Sequence, residues 1–441
     1  MKRAALTFFC VICFLFLLPV LPSLEATKGW VAQAGTVPAS FFGQQAHMIA
    51  DWPSQPFGAI RLWDSGTDNS HFVYWYYIET SRGVYDWRTL DSWLSQAASA
   101  GVDIMYDLSG TPNWASSSPN DSSCFLGMGT VNNKGACDPP SDAASGDNIW
   151  KKWVTAVVQH SVNSTTGHIK YYELWNEPNL SGYWNGTTAQ MVTMAEDAYS
   201  IIHNLDPNAM VVSPCPSTSG NPLNQSVWFS GYFTAGATIA QDIIAYHAYP
   251  TTAGADPETY LLTQAYAIQT QMIRHGIGNL PLWSTENSWG NIGSLTDAQE
   301  AAWFAKSRIL ALDAGLQRSY WYSWDSNFQG GIRNDTWGQL WDAASGVHPA
   351  AQAFGQVYNW LVGGNTFNPF CTNGGDDTWS CLINVASGKH AQIIWNSNTE
   401  KTITLDKRFS SCVNLNGSPC SITNNQIHIG PSPIWILMDK H

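Results

Sequence analysis

The chain has 441 residues, a formal net charge of −13 and only 12% charged residues, against 44% hydrophobic ones. That length suits one large domain with a small companion, or two to three average ones, and the acidic balance argues against nucleic acid and anionic membrane, which need basic patches. Trp is abundant, at 23 residues, a composition that suits both a large core and flat faces for stacking on neutral polar ligands.

The N-terminus reads as a secretory signal. Lys2 and Arg3 precede an apolar run from Ala4 to Leu18, which Pro19 and Pro22 interrupt, with cleavage expected near Ala26. An uncleaved membrane anchor is the rival reading of the same run. With the signal cleaved, the expectation is a secreted or periplasmic protein with no membrane contact.

Strand-like and helix-like stretches then alternate, the pattern of a parallel sheet or barrel. Eight strands are expected, at Ser40–Met48, Gly58–Asp64, Val102–Leu108, Ile169–Trp175, Met210–Pro214, Ile243–Tyr249, Leu282–Thr285 and Ser319–Trp324. Helices are expected at Thr89–Ala100, Asp147–Val162, Thr188–Asn204, Pro257–His275, Thr296–Ala314 and Pro349–Leu361, with a weaker one near Asn224–Ala235. The first crossover, Ile49–Phe57, is too short and proline-rich for a helix. Eight such units predict a (β/α)8 TIM barrel over residues 27–363. The long segment Thr111–Gly146 is expected to shape a cleft. After Gly363-Gly364 the helical period disappears, and 364–441 reads as a small antiparallel, β-sandwich-like domain, with residues 27–39 as a source of one more strand.

Seven cysteines remain beyond the signal. Short separations favour Cys124–Cys137, Cys371–Cys381 and Cys412–Cys420, although six cysteines allow fifteen pairings. Cys215 on an apolar strand is the expected free thiol. Seven Asn-X-Ser/Thr sequons occur, and Asn179 lies too near the proposed site to carry a glycan.

Two stretches carry the chemistry. Tyr171-Tyr172-Glu173-Leu174-Trp175-Asn176-Glu177-Pro178-Asn179 is an apolar strand that stops at a proline, leaving Glu177 at its C-terminal end. Leu282-Trp283-Ser284-Thr285-Glu286-Asn287-Ser288-Trp289 repeats the design on the seventh strand. Strand ends are where barrels hold their chemistry, and two carboxylates on strands four and seven face each other across the mouth. That is the minimal equipment for hydrolysing a glycosidic bond. Either glutamate alone reads equally well as a rim carboxylate; the pair does not.

These motifs resemble clan A of the glycoside hydrolases, and more narrowly family 39, which includes exopolysaccharide hydrolases and β-xylosidases. Ile60-Arg61-Leu62-Trp63, the spaced set Glu79, Gly83, Tyr85, Trp87, Leu90 and Asp91, Thr111-Pro112-Asn113-Trp114-Ala115, and Tyr246-His247-Ala248-Tyr249-Pro250 extend the resemblance over most of the chain. It implies a TIM barrel and a retaining mechanism. Glu177 would be the acid/base and Glu286 the nucleophile, Asn176 would hold a sugar 2-hydroxyl, and Arg61, His247 and Tyr249 would support them. Trp324 is the expected sugar platform, and Trp114, Trp184 and Trp289 are expected further subsites. Glu173 reads as a buried, paired carboxylate, while Asp325 and Asn327 fit a loop cap or a substrate contact equally. Neither a metal nor a nucleotide motif stands out, so no cofactor is expected. The expected partner is a β-linked polysaccharide or oligosaccharide, with internal cleavage favoured over end-wise cleavage. A non-catalytic carbohydrate-binding protein on the same scaffold is the competing reading.

Overall fold

The computed structural model describes residues 35–124, 134–218, 220–250, 255–289, 295–325, 338–385 and 387–438. The signal expected over residues 1–26 and the residue Asn327 lie outside them. Among the described residues no helix is long and apolar enough to cross a membrane.

Eight strands form one parallel sheet: β1 (Phe42–Gln45), β2 (Ala59–Leu62), β3 (Asp103–Asp107), β4 (Tyr171–Glu173), β5 (Met210–Val212), β6 (Ile244–His247), β7 (Leu282–Asn287) and β8 (Arg318–Trp321). Hydrogen bonding runs from β6 through β7, β8, β1, β2, β3 and β4 to β5. A parallel bridge between Val212 and Ile243 joins the two ends, so the sheet closes into a barrel. Among the described residues, seven helices of eleven residues or more cover it: α1 (Arg88–Ala100), α2 (Asn148–Asn163), α3 (Thr188–Leu205), α4 (Asn224–Thr234), α5 (Pro257–Arg274), α6 (Asp297–Asp313) and α7 (Pro349–Leu361). Only a 3-10 turn, Ile49–Asp51, fills the first crossover.

Local chemistry sets the helix starts. Thr187 with Gln190, and Thr296 with Gln299, close reciprocal capping boxes at α3 and α6. Asp256 caps α5, with Pro257 at the first helical position. Inside the barrel, Gly43 is required by packing: a Cβ there would sit 2.4 Å from the Tyr320 ring.

The C-terminal region forms an antiparallel sheet of β9 (Asn365–Asn373), β10 (Thr378–Asn384), β11 (His390–Asn396), β13 (Phe409–Val413) and β15 (Ile434–Met438), with a ribbon of β12 (Lys401–Thr404) and β14 (Gln426–Ile429). One face carries Cys371, Ile383, Ile393, Trp395 and Trp435 into the barrel's own core. The other packs Ile394, Cys412, Ile434 and Ile436 against Ile427 and Ile429 of the ribbon. Buried Glu258 of α5 joins the two regions, accepting from Trp395 Nε1 at 3.0 Å and pairing with Lys306 at 2.7 Å. Thr36 bridges Asn365 at the start of this sheet. Disulfides link Cys124–Cys137, Cys371–Cys381 and Cys412–Cys420, and Cys215 is a buried free thiol.

Candidate active site

The mouth of the barrel is built where the ladders end. Glu177 follows β4 with a left-handed backbone, φ 44°. A non-glycine residue rarely adopts that conformation, and such strain concentrates at functional positions. It is held there because Glu177 N donates to Cys215 O at 3.1 Å and Asn176 bridges Cys215. Asn179 secures the same turn, with both of its amide atoms bonded to the Ser217 backbone.

Glu286 lies within β7, where the register against β6 shifts between Tyr246 and His247. The irregularity places His247 beside both glutamates. Its Nδ1 lies 2.8 Å from Glu177 Oε1 and 3.3 Å from Glu286 Oε2. One oxygen of Glu177 and one of Glu286 lie within 4.8 Å of each other. Carboxyl groups this close suit attack by one of them on the sugar; inverting enzymes need a wider gap to admit a water.

Glu286 receives a full set of donors. Arg61 Nη1 donates to Oε1 at 2.5 Å and Tyr249 Oη to Oε2 at 2.6 Å. Burial pushes its carboxyl above the usual carboxylate range, and the charges of His247 and Arg61 pull it back down. Glu177 pushes the other way, as a like charge. Asn176 turns Oδ1 to Arg61 Nη2 at 2.7 Å, which leaves Nδ2 buried without a hydrogen-bond partner among the described residues. His247 Nε2 is in the same condition. Two buried, unused polar groups beside the carboxylates are places for substrate hydroxyls. Glu173 pairs with Arg61 Nε at 2.6 Å, as its depth on the strand predicted.

The glutamates and His247 also have the spacing of a three-ligand metal set. Both Glu286 oxygens are already directed at Arg61 and Tyr249, and the adjacent guanidinium repels a cation. The Asp121, Cys124, Cys137 and Asp138 group has its two sulfurs tied in a disulfide, so it has no thiolates to offer.

The expected aromatic platforms are placed differently. Trp324 is 2% exposed and presents no open face for stacking; its N–H donates to Gln45 O, and Trp341 N–H donates to its carbonyl. β8 stops at Trp321, so side-chain alternation does not carry on to residue 324. Tyr322 stands at the strand end instead, half-buried, with Oη donating to Asp64 Oδ2 at 2.8 Å and lying 3.1 Å from His47 Nε2. Trp289 is 0% exposed, and Trp184 is 7% exposed and packed edge-on against Trp175, so neither forms an open subsite. Half-buried Tyr183, next to Trp184, lies close enough for both glutamates to raise its pKa, behind the larger effect of burial. Trp114 is half-buried, with Nε1 on Glu79 O and Arg82 over its ring at 5.4 Å. Asp325 acts as a cap: it accepts from the backbone of His47 at 2.7 Å and of Met48 at 2.8 Å. The segment expected to shape the cleft is tied to the loop after β4, since Asn185 N donates to Cys137 O and its side chain to Asp121.

Sequence reasoning missed Tyr322, Tyr183, His47 and Asp64. A signal existed for two of them: Tyr322 shares strand parity with Tyr320, and Asp64 lies two residues beyond β2, at the end of the strand expected over Gly58–Asp64.

With this geometry in hand, comparison with known proteins is specific. A model of glycosyl hydrolases family 39 matches residues 81–325. A beta-xylosidase of Geobacillus stearothermophilus is 25% identical over 210 residues, which is 43% of this chain and 40% of the relative, so the match spans well under half of that protein. Among solved structures, a family 39 glycoside hydrolase from Bacteroides cellulosilyticus superposes with a TM-score of 0.67 at 16% identity, over 91% of this chain and 81% of its own. A monomeric beta-xylosidase from Caulobacter crescentus gives a TM-score of 0.62 at 14% identity, over 92% and 97%. These superpositions establish a shared fold.

Proposed function

The chain belongs to the glycosyl hydrolases of family 39, and on that premise we propose that it is a secreted retaining hydrolase of β-linked glycans, acting within an extracellular polysaccharide. The observation that carries the mechanism is the approach of Glu177 and Glu286 to within 4.8 Å, with Arg61 and Tyr249 both committed to Glu286. Glu286 attacks the anomeric carbon as Glu177 gives its proton to the departing glycosidic oxygen, and a glycosyl ester forms on Glu286. Glu177, now ionised, takes a proton from water, which attacks the same carbon and releases Glu286. Asn176 Nδ2 is free to donate to the sugar 2-hydroxyl, a contact that strengthens as positive charge develops on the ring. His247 spans both carboxylates and holds their spacing through the cycle.

The experiment is turnover of a β-glycan and aryl-glycoside panel, with the first-formed anomer followed by NMR and product sizes by chromatography. Retention of configuration is expected; inversion would overturn the nucleophile assignment. Internal cleavage gives a ladder of intermediate sizes. Release of single sugars only would favour the end-wise reading, which the name of the Geobacillus stearothermophilus relative supports. Sugar binding without turnover in any substrate would favour a non-catalytic carbohydrate-binding protein.

A further inference from the structure

Beneath Glu286 the barrel holds an imbalance of buried charge. Three carboxylates, Asp107 of β3, Glu173 of β4 and Glu286 of β7, converge on the one guanidinium of Arg61, and all four side chains are buried. Arg61 has five N–H donors. Nε serves Glu173, Nη1 serves Gln45 and Glu286, and Nη2 serves Asn176 and Cys215 Sγ. None is left for Asp107, whose Oδ2 lies 3.6 Å from Nη2 and has no hydrogen-bond partner among the described residues. Glu173 Oε1 has none either. Asp107 and Glu173 are direct register partners on adjacent strands. Ionised carboxylates only accept, so two neighbouring buried ones with unmatched oxygens cannot satisfy each other.

We infer that Asp107 is a neutral carboxylic acid in the resting protein, a positioning residue whose proton leaves Arg61 to Glu173 and Glu286. A proton on Oδ2 removes the negative charge from one of the two carboxyls that hold an unmatched oxygen. The other oxygen, Oδ1, already accepts from Ser109 N at 2.9 Å. The remaining groups around it are consistent with this. Burial drives the Asp107 carboxyl well above its ordinary range, Arg61 opposes the rise and Glu173 adds to it. Burial likewise keeps Cys215 a thiol, so it adds no charge. His247, above on β6, faces Glu173 and Cys215 as well as the two catalytic glutamates. With Asp107 neutral, Arg61 faces two negative charges instead of three, and its strongest bonds go to Glu173 and Glu286. The inference rests on Glu286 being the nucleophile only for its consequence in catalysis; the protonation state itself is independent of that assignment.

Infrared difference spectroscopy at neutral pH tests it on the whole chain. Subtracting the Asp107→Asn spectrum from that of the parent should reveal a lost carbonyl stretch of a protonated carboxyl. A loss confined to the carboxylate region would overturn the inference. If Asp107→Asn does not fold, Glu173→Gln reads the same state: Asp107 should give up its proton to become the counter-ion of Arg61, and the protonated band should disappear there too. Survival of that band in Glu173→Gln would overturn the coupling. In turnover, the acidic limb of kcat/KM should hold its place in each single variant. In the Asp107→Asn, Glu173→Gln double variant Arg61 faces Glu286 alone, and the limb should move down by about one pH unit. Additive behaviour of the two singles would contradict the shared proton. Absence of turnover in every protein with the infrared band present would overturn the hydrolase reading and leave this inference standing.

Discussion

The two ends of the barrel use an arginine in opposite ways. At the N-terminal end Arg318 donates to Asp103 and to Tyr171 Oη, both at 2.7 Å, and lies 4.3 Å from the Tyr171 ring centre and 4.6 Å from that of Trp283. Lys170 adds a second cation to Asp103. Every formal charge there has an opposite partner, Asp103 serving both cations, and aromatic faces cover the guanidinium. At the C-terminal end Arg61 is surrounded by more carboxylates than it can serve, and Asn176 Nδ2, His247 Nε2, Asp107 Oδ2 and Glu173 Oε1 lack partners among the described residues. Satisfied polar groups rigidify a fold, and unsatisfied ones cost stability unless a ligand completes them. One barrel therefore separates holding together from doing chemistry by height along its strands.

Substitutions at each end sharpen that contrast. The largest effect belongs to Glu286→Ala, expected to lower kcat on the order of 10^4-fold or more with sugar binding retained, measured by steady-state kinetics and calorimetry. Turnover within tenfold of the parent would assign the nucleophile elsewhere. Next is Arg61→Met, which leaves buried carboxylates unpaired: about 3–5 kcal/mol of stability should be lost in denaturant titration, together with activity. Arg318→Met provides the counterpart. It should cost about 1–3 kcal/mol while kcat and the pH profile keep their values. A change in its pH profile would break the division between the two ends. Tyr249→Phe removes one donor from Glu286 and should lower kcat/KM about 10²-fold.

The pH dependence follows from the same end. Glu286 must be ionised to attack, and its carboxyl is raised above the usual range, chiefly by burial. Activity should fall with decreasing pH at a midpoint above the ordinary glutamate value of about 4.3. In Tyr249→Phe that midpoint should move further up, since a hydrogen bond to the anion is lost. The smallest effect is away from the barrel. Replacing Cys412 and Cys420, eight residues apart, opens a short loop and should cost at most about 2–3 kcal/mol. Catalysis at the parent rate is expected there.

Much of this molecule was legible from local pattern. The eight strands, the helices between them and the missing first crossover helix all follow from periodicity and turn chemistry, which act over a few residues. Glu177 and Glu286 could be named because a proline or a change of texture marks where each strand ends. The disulfides were favoured by proximity along the chain, and closure of small loops is itself a local property. The aromatic residues were the weak point. Trp324, Trp289 and Trp184 follow strand ends as a sugar platform would, yet they are buried, while Tyr322 and Tyr183 join Tyr249 among the half-buried aromatics near the carboxylates. Trp exchanges a large apolar surface for burial whenever a neighbouring loop covers it, and nothing near residue 324 in sequence announces Leu340 and Trp341.

What the sequence by itself determined is the repeating strand–helix unit, the barrel it closes into, and the two carboxylates at its mouth. Only the tertiary structure decided that Glu177 is held at positive φ, that His247 spans both glutamates, and that three carboxyl groups gather around one guanidinium. Those facts join residues from β2, β3, β4, β6 and β7. Through-space electrostatics in a buried interior depends on distances between strands, which no pattern along a single strand encodes.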